Sequence, residues 1–195
     1  MSVGYWETLI TQAKDGPTLA SNNSKLSCLD ATALYTMAPN RLKVGDVLSV
    51  RASGRISTAV TTPGTSQWFL TTAAAPTGIK IFDTLALSGN TTVQTTVPWW
   101  LEAEGVVRAI GSGTSANIFW GGLVASTAFI ATVAVATGPY TGVVAVPFNT
   151  APVTGTGFDS TISNIIDFGF LNSAAATSSM ICHNYSLSLK TSSGF

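Results

Sequence analysis

Charged side chains are scarce in this sequence, and one long segment has none. No Asp, Glu, Lys, Arg or His occurs between Arg108 and Asp159, about a quarter of the 195 residues. The whole chain contains 9% charged and 46% apolar residues, and its formal net charge is zero. Because charge keeps a domain solvated and separate from its neighbours, this composition indicates a surface that packs against other protein.

Basic clusters and a secretory leader are also missing. The 9 basic residues balance the 9 acidic ones and form no cluster, so the sequence offers no electrostatic surface for a phosphate backbone. Residues 1–16 lack the basic start and the uninterrupted apolar core of a signal peptide. We therefore expect no direct nucleic-acid partner, and we expect synthesis in a cytoplasm.

Residues that bind metals or act as nucleophiles are few. Cys28 and Cys182 are far apart and have no CxxC partner, which favours two reduced, partly buried thiols. The single histidine, His183, lies in an alternating segment on the side of Tyr185 and opposite Cys182, which favours a partly buried imidazole bonded to a neighbour. No second His, Cys or carboxylate lies at ligand spacing, so we predict no metal and no cofactor.

Two sequence patterns suggest a catalytic or a phosphate-binding site, but the residues in and around them favour other interpretations. Glu102 and Glu104 share one strand face, as a glycosidase pair would, but with Arg108 nearby they are typical of a solvated or ion-paired face. The glycine-rich segment 111–115 lacks the Gly-Lys end of a phosphate-binding loop. We predict no catalytic residue and no enzymatic activity.

One apolar segment, 118–136, is about as long as a bilayer-spanning helix. It is rich in Val, Ile, Thr and Phe rather than Leu, and no Lys or Arg flanks it. Two buried strands joined near residues 125–128 account for it better. We therefore predict no membrane partner.

Strand patterns recur along the chain, and helical patterns are nearly absent. Segments 47–56, 79–87 and 99–110 alternate between apolar and polar residues, and segments 162–171 and 180–189 look like neighbouring strands of one sheet. The predicted buried sets are Leu48, Val50 and Ala52, then Ile79, Ile81, Leu85 and Leu87, then Leu101, Ala103 and Val107. The 18 glycines and 8 prolines between strands are typical of a sandwich or barrel.

The N-terminal residues differ from the rest. Tyr5, Trp6 and Leu9 form an aromatic and apolar patch, which hydrophilic residues follow up to about residue 24. Two interpretations stay open, an arm that reaches outward and a first strand of the core. The chain is accordingly divided into residues 1–25, an arm or first strand, and residues 26–195, one sandwich domain.

The segment 42–58, LKVGDVLSVRASGRIST, resembles virion structural proteins of tailed bacteriophages that are built on a jelly-roll domain. The likeness continues in order through Thr62-Pro63, IFDT at 81–84, PWWLEA at 98–103, VRAIG at 107–111, and segments 164–171 and 181–189. The matching residues suit structural roles: Gly54 permits a bulge or a close approach, and Trp99 or Trp100 can fill the space between two sheets. The region 115–160 departs from the resemblance, because it is more apolar than the resemblance leads us to expect.

The resemblance implies an all-β, antiparallel, jelly-roll-like β-sandwich without an active site. It also implies a capsid decoration or cement protein, a homotrimer on the capsid surface of the virion that binds the major capsid protein. On this hypothesis the N-terminal patch and the uncharged segment supply the assembly contacts. The residues predicted for those contacts are Tyr5, Trp6, Leu9, Trp120, Phe129 and Tyr140.

Two other hypotheses stay open. A tail, fibre or baseplate module would recognise host surface glycan, with Trp68, Trp120 and Tyr140 stacking on sugar rings, although tryptophan is more often part of the core. A wall-degrading hydrolase would depend on the carboxylate pair and the single histidine described above.

Overall fold

Almost all regular structure in this protein is β-strand. The computed structural model describes residues 5–20, 22–58, 64–90, 92–130, 142–147, 157–173 and 178–191. In chain order the strands are β1 (Tyr5–Thr11), β2 (Leu19–Ala20), β3 (Asn22–Ser27), β4 (Tyr35–Met37), β5 (Val47–Thr58), β6 (Thr65–Thr71), β7 (Lys80–Asp83), β8 (Leu87–Gly89), β9 (Gln94–Ala109), β10 (Asn117–Ala125), β11 (Phe129–Ile130), β12 (Val143–Val146), β13 (Asn164–Asn172) and β14 (Ser179–Thr191).

The strands form two antiparallel sheets. Sheet 1 has the order β1-β14-β5-β9-β10-β12, with β2 also paired to β14. Sheet 2 has the order β11-β8-β6-β13-β3, with β4 beside β13 and β7 beside β6. The predicted antiparallel, jelly-roll-like β-sandwich is confirmed.

Alternation along the central strands of sheet 1 determines which residues enter the core. On β5 the predicted buried set Leu48, Val50 and Ala52 is buried, and on β9 the set Leu101, Ala103 and Val107 is buried. Successive side chains of a strand point to opposite faces, so Glu102 and Arg108 lie on the outer face of the same sheet. Both of these predicted strand faces are confirmed.

Aromatic rings fill the space between the sheets. Trp99 from sheet 1 meets Trp68 from sheet 2 with ring centroids 5.1 Å apart, and Phe168 stacks on Tyr185 at 5.5 Å. Such pairs add to the stability that burial of the rings already provides. Of the two adjacent tryptophans predicted to fill this space, Trp99 does so and Trp100 does not.

The N-terminal segment runs along the edge of sheet 1. Strand β1 pairs with the C-terminal half of β14, and β2 pairs with the N-terminal end of β14. Between them, Gln12 N and Gly16 N donate to the carbonyl oxygens of Tyr185 and Cys182, both at 2.8 Å. Residues 5–20 therefore lie along β14 and cover its hydrogen-bonding edge.

The segment 79–87 is two strands rather than the predicted one. Asp83 Oδ1 accepts hydrogen bonds from Leu85 N at 2.8 Å and from Gln67 Nε2 at 2.6 Å, and Leu85 has a φ of 61°. This turn ends β7 and directs the chain into β8. Ile79 precedes β7 and lies exposed, so the prediction that it is buried is wrong. Phe82 and Asp83 interrupt the alternation of this segment, but the interruption alone does not show that the strand ends at Asp83.

Strands β13 and β14 lie in different sheets, although adjacent strand patterns predicted that they pair. β13 pairs with β6, β3 and β4, and β14 pairs with β5, β1 and β2. The connection between them therefore crosses from one sheet to the other. A short polar linker is compatible with a hairpin and with a crossing, which is why the sequence pattern misled here.

The apolar segment 118–136 contributes strand where the structure describes it. β10 ends at Ala125 and β11 begins at Phe129, as the prediction of two strands joined at residues 125–128 requires. Within the described ranges, no helix is long and apolar enough to cross a bilayer.

Candidate functional site

The predicted assembly residues fall into four groups. Tyr5 and Trp6 are 62% and 55% exposed at the edge of sheet 1, where another protein can reach them. Leu9 is partly buried and packs against the core. Tyr140 lies outside the described residues.

Trp120 and Phe129 belong to the core of this chain and expose almost no surface to a partner. They are 1% and 2% exposed; Trp120 packs on Phe82 at 5.1 Å, and Phe129 packs edge-on against Trp68 at 5.2 Å. The prediction that they are assembly contacts is corrected accordingly. An uncharged segment is compatible with burial inside the same chain as well as with burial against another chain.

Five exposed apolar side chains lie at one end of the sandwich, which we call the Trp6 end. Trp6 pairs with Lys190 near the end of β14, Val44 precedes β5, and Ile110 directly follows β9. Tyr5 and Ile162 complete the group. Exposed apolar residues are ordinary singly, but a group of this kind marks an interaction surface.

Val44 is held at the tip of a tight turn. Lys43 N donates to the buried carboxylate of Asp46 at 2.8 Å, and Gly45 adopts a φ of 91°. Gly45 N also donates to Val107 O at 2.9 Å, which anchors the turn to the end of β9. The turn at Gly45-Asp46 fixes Val44 in an exposed position.

Ile110 and Ile162 are held by a hydrogen-bonded pair of loops. Asp159 accepts from Thr161 Oγ1 at 2.6 Å and from Gly113 N at 2.8 Å, and these bonds, with that from Thr161 N, lower the pKa of its carboxyl. Ser160 N donates to Gly111 O at 2.9 Å. The glycine-rich segment 111–115 is thus a loop, as predicted, and it supports the Trp6 end.

Cations surround this apolar group. Lys43, Arg108 and Lys190 are exposed, and Arg41 forms an ion pair with Glu7 of β1. Arg108 also lies over the ring of Phe119, at 5.3 Å from the ring centroid. A partner that covers the Trp6 end would therefore complement it with an apolar centre and an acidic rim.

The carboxylate pair of β9 is part of a solvated strand face. Glu102 bonds to Arg51 of β5 at 2.6 Å, with both side chains substantially exposed. Glu104 is exposed on the same face. The predicted ion-paired face is confirmed for Glu102.

The two cysteines are free and buried, as predicted. Burial raises the pKa of Cys28 well above its ordinary value and raises the pKa of Cys182 to about 12. The thiolate is the reactive form of cysteine, so both side chains remain thiols at neutral pH. Neither is suited to act as a nucleophile.

His183 is bonded to a neighbour, but its strand position differs from the prediction. Its Nδ1 lies 2.9 Å from Asp15 Oδ1, and the side chain is partly exposed. A register shift in the pairing with β5 falls between Cys182 and Asn184, so Cys182 and Tyr185 are both buried. In the described part of the chain, no three His, Cys, Asp or Glu residues group as metal ligands would.

A groove beside Trp100 was not predicted. Trp100 is 50% exposed on the outer face of sheet 1, and it lines a hollow of about 560 Å³ and a second of about 290 Å³. We call the larger hollow the Trp100 groove; its lining includes Ser53, Arg55, Thr127, Val143, His183 and Asn184. The signal was present in the sequence, because Trp99 and Trp100 are adjacent on a strand and must point to opposite faces.

Comparisons with known proteins identify no family for this chain. No family model and no curated protein matches it. A lectin from Bauhinia forficata in complex with GalNAc aligns over 100% of this chain and 100% of its own, at 10% identity and a TM-score of 0.39. The winged bean acidic lectin complexed with methyl-alpha-D-galactose aligns over 96% and 99%, at 7% identity and a TM-score of 0.29. At these scores neither likeness bears on function.

Proposed function

We propose that this chain is a structural protein of a bacteriophage virion, a capsid decoration protein that binds the major capsid protein and itself as a homotrimer. The observation that carries the proposal is the Trp6 end, the end of the sandwich that presents the exposed side chains of Tyr5, Trp6, Val44, Ile110 and Ile162. Desolvating aromatic and aliphatic anchors of this kind supplies most of the binding energy of protein interfaces.

The local structure of the Trp6 end supports an interface rather than an accident of folding. Strand β1 is paired along β14, and hydrogen bonds fix the turn under Val44 and the loops beside Ile110. Rigid presentation lowers the entropy lost on association. The surface is therefore preorganised for binding a partner.

The chemistry of the remaining side chains supports a role without catalysis. The buried thiols are protonated, Glu102 is paired to Arg51, and His183 is bonded to Asp15. These contacts are typical of structural side chains. The proposed role is therefore adhesion between virion proteins, with no bond made or broken.

The test compares the wild-type chain with a Tyr5→Ser/Trp6→Ser double variant. We expect the wild type to sediment at three times the 20.1 kDa chain mass and to bind heads assembled from the major capsid protein of the same virus. The double variant should lose one or both properties while it keeps the circular dichroism spectrum of the wild type. Leu123→Ser, on the outer face of β10, is a control of similar exposure outside the Trp6 end.

A wild-type chain that is monomeric and leaves heads undecorated would overturn the proposal. So would a double variant that trimerises and binds heads as the wild type does.

The alternative role in host recognition loses the ring platforms predicted for it. Trp68 and Trp120 are buried in the core, and Tyr140 lies outside the described residues. Trp100, which lies away from the Trp6 end, offers an exposed ring face instead.

A further inference from the structure

We propose that the Trp100 groove binds a saccharide, in a site separate from the surface that assembles the virion. The proposal starts from the position of Trp100 on β9. Its neighbours across the sheet are Ser53 on β5 and Ala125 on β10, both small. The indole therefore stands above the sheet, with a hollow on each side of it.

An exposed indole is a platform for a sugar ring. The axial C–H groups of a pyranose carry a partial positive charge, and the face of an indole carries partial negative charge. A volume of about 560 Å³ lies within the range that holds small ligands. The larger hollow therefore has room for a saccharide that extends beyond the stacked ring.

Polar groups around the indole are anchored and keep hydrogen-bonding capacity. Arg55 donates one hydrogen bond from its guanidinium to Thr96 O at 3.0 Å, and Asn184 Nδ2 lies 3.3 Å from Ser53 Oγ. A guanidinium has five N–H donors, and an amide has two donors and an acceptor oxygen. Further bonds to sugar hydroxyls can form without breaking the contacts that position these groups.

His183 is oriented in the same way. Its Nδ1 is bonded to Asp15, which leaves Nε2 as the second hydrogen-bonding atom of the ring. On the opposite side of the groove, Thr127 Oγ1 is bonded to Gln94 Oε1 at 3.0 Å. A rigid aromatic platform encircled by mostly neutral polar groups matches the surface of a saccharide, which is apolar on the ring faces and polar at the rim.

The surroundings disfavour the other ligands that an aromatic groove can take. Strands β5, β9 and β14 lie inside sheet 1, each paired on both sides, so they offer no open edge for an added peptide strand. Of the two arginines near Trp100, Arg51 is paired to Glu102, which leaves Arg55 without a basic cluster for a phosphate chain.

The groove lies near the middle of the central strands of sheet 1, away from the Trp6 end. Trp6 pairs with Lys190, and the row of Trp100 crosses β14 at Asn184. Six residues of strand separate the two rows, about 20 Å at the usual rise per residue. Occupancy of one surface therefore leaves the other accessible.

The experiment follows indole N–H signals of the ¹⁵N-labelled full chain during titration with two sets of oligosaccharides. One set is prepared from bacterial surface polysaccharide and the other from animal mucin, so that the two arms distinguish the source of the saccharide. Trp100→Phe assigns the Trp100 signal and keeps an aromatic platform. We expect one set to shift the Trp100 signal and to leave the Trp6 signal in place.

Variants test the roles of the lining residues. Trp100→Ala should lower the affinity by about tenfold or more, since the ring face is lost. Trp100→Phe should keep most of the affinity, and Asn184→Ala should lower it several-fold. The Tyr5→Ser/Trp6→Ser variant should bind the saccharide as the wild type does, which separates this test from that of virion assembly.

Absence of any shift at the Trp100 signal with both sets at millimolar concentration would overturn the proposal. Equal shifts at Trp6 and Trp100, or unchanged affinity in Trp100→Ala, would overturn it as well.

Discussion

At the scale of the residue, the adjacent pair Trp99 and Trp100 shows how strand geometry assigns different roles to identical side chains. Trp99 is buried between the sheets, and its Nε1 donates to Ile181 O at 3.3 Å. Trp100 is half exposed on the other face of the same strand. The alternation of apolar residues along β9 is enough to place Trp99 on the inner face, since Leu101 and Ala103 occupy the same face of the strand.

This difference predicts opposite effects of the same substitution. Trp99→Ala removes a buried ring and should lower the free energy of unfolding by about 3–5 kcal/mol. Trp100→Ala removes a ring without opening a cavity and should cost less than about 1 kcal/mol. Urea denaturation of both variants checks the prediction, and equal losses at the two positions would contradict it.

Two aspartates predict opposite dependences of stability on pH. Burial raises the pKa of Asp167 above 3.8, although hydrogen bonds from Ala75 N and Ser27 Oγ oppose the shift. Its contribution to stability is therefore complete below pH 3.8 and is lost as the pH rises through the folded pKa. Hydrogen bonds lower the pKa of Asp159, so its contribution is present above pH 3.8 and is lost as the pH falls.

Asn variants isolate these contributions. As the pH rises from about 3.5 to about 7, the free energy of unfolding of the wild type should fall relative to Asp167→Asn and rise relative to Asp159→Asn. Urea denaturation across this range measures both differences. Differences that do not vary with pH, or that vary in the same direction, would contradict the assignment.

At the scale of the element, two adjacent glycines of β10 differ in how closely they approach β9. A Cβ on Gly122 would lie 2.3 Å from Glu102 O, whereas a Cβ on Gly121 would meet nothing within 4 Å. The two glycines are adjacent on β10, so they share one strand environment and differ in the face that they occupy.

Gly122→Ala should therefore force β10 away from β9 and lower the free energy of unfolding by about 1–3 kcal/mol or more. Gly121→Ala should leave stability unchanged or raise it by up to about 1 kcal/mol, because Ala restricts the unfolded chain. Thermal and urea unfolding of the two variants provide the measurement. A loss in Gly121→Ala as large as that in Gly122→Ala would show that the separation from β9 is not the cause.

Individual strands were more predictable than their partners. The faces of β5 and β9 followed from alternation, because one side of each strand is apolar and the other is polar. The sheet to which β13 and β14 each belong did not follow from the sequence. Both strands have one face in the common core, and alternation does not show which sheet a strand joins. The bulge at Cys182 was equally hidden, although Gly54 opposite it was predicted to permit a bulge or close approach, and a Cβ there would lie 1.9 Å from Ile181 O.

At the scale of the whole molecule, scarcity of charge predicted burial but not what the residues are buried against. The uncharged segment 109–158 supplies Trp120 and Phe129 to the core, and it also supplies exposed Leu123 and Val143 to the outer face of sheet 1. Both groups consist of apolar side chains, so apolar character alone does not separate them. Only the placement of β10 and β12 in the sheet separates a residue that packs inside the chain from one that is available to a partner.

The separation of the Trp6 end from the Trp100 groove predicts how the whole assembly binds polysaccharide. A homotrimer joined through the Trp6 end would display three grooves, and simultaneous attachment to one polymer would raise its apparent affinity about a hundredfold over that for a free oligosaccharide.

Trp6→Ser should remove this gain by separating the subunits, while affinity for the free oligosaccharide stays that of the wild type. Trp100→Ala should remain trimeric and lose binding to both. Biosensor measurements on immobilised polysaccharide, paired with calorimetry on the oligosaccharide, separate these cases. A Trp6→Ser chain that binds the free oligosaccharide more weakly than the wild type would contradict the prediction. It would show that the Trp6 end and the Trp100 groove are coupled, although about 20 Å of paired strand should keep them independent.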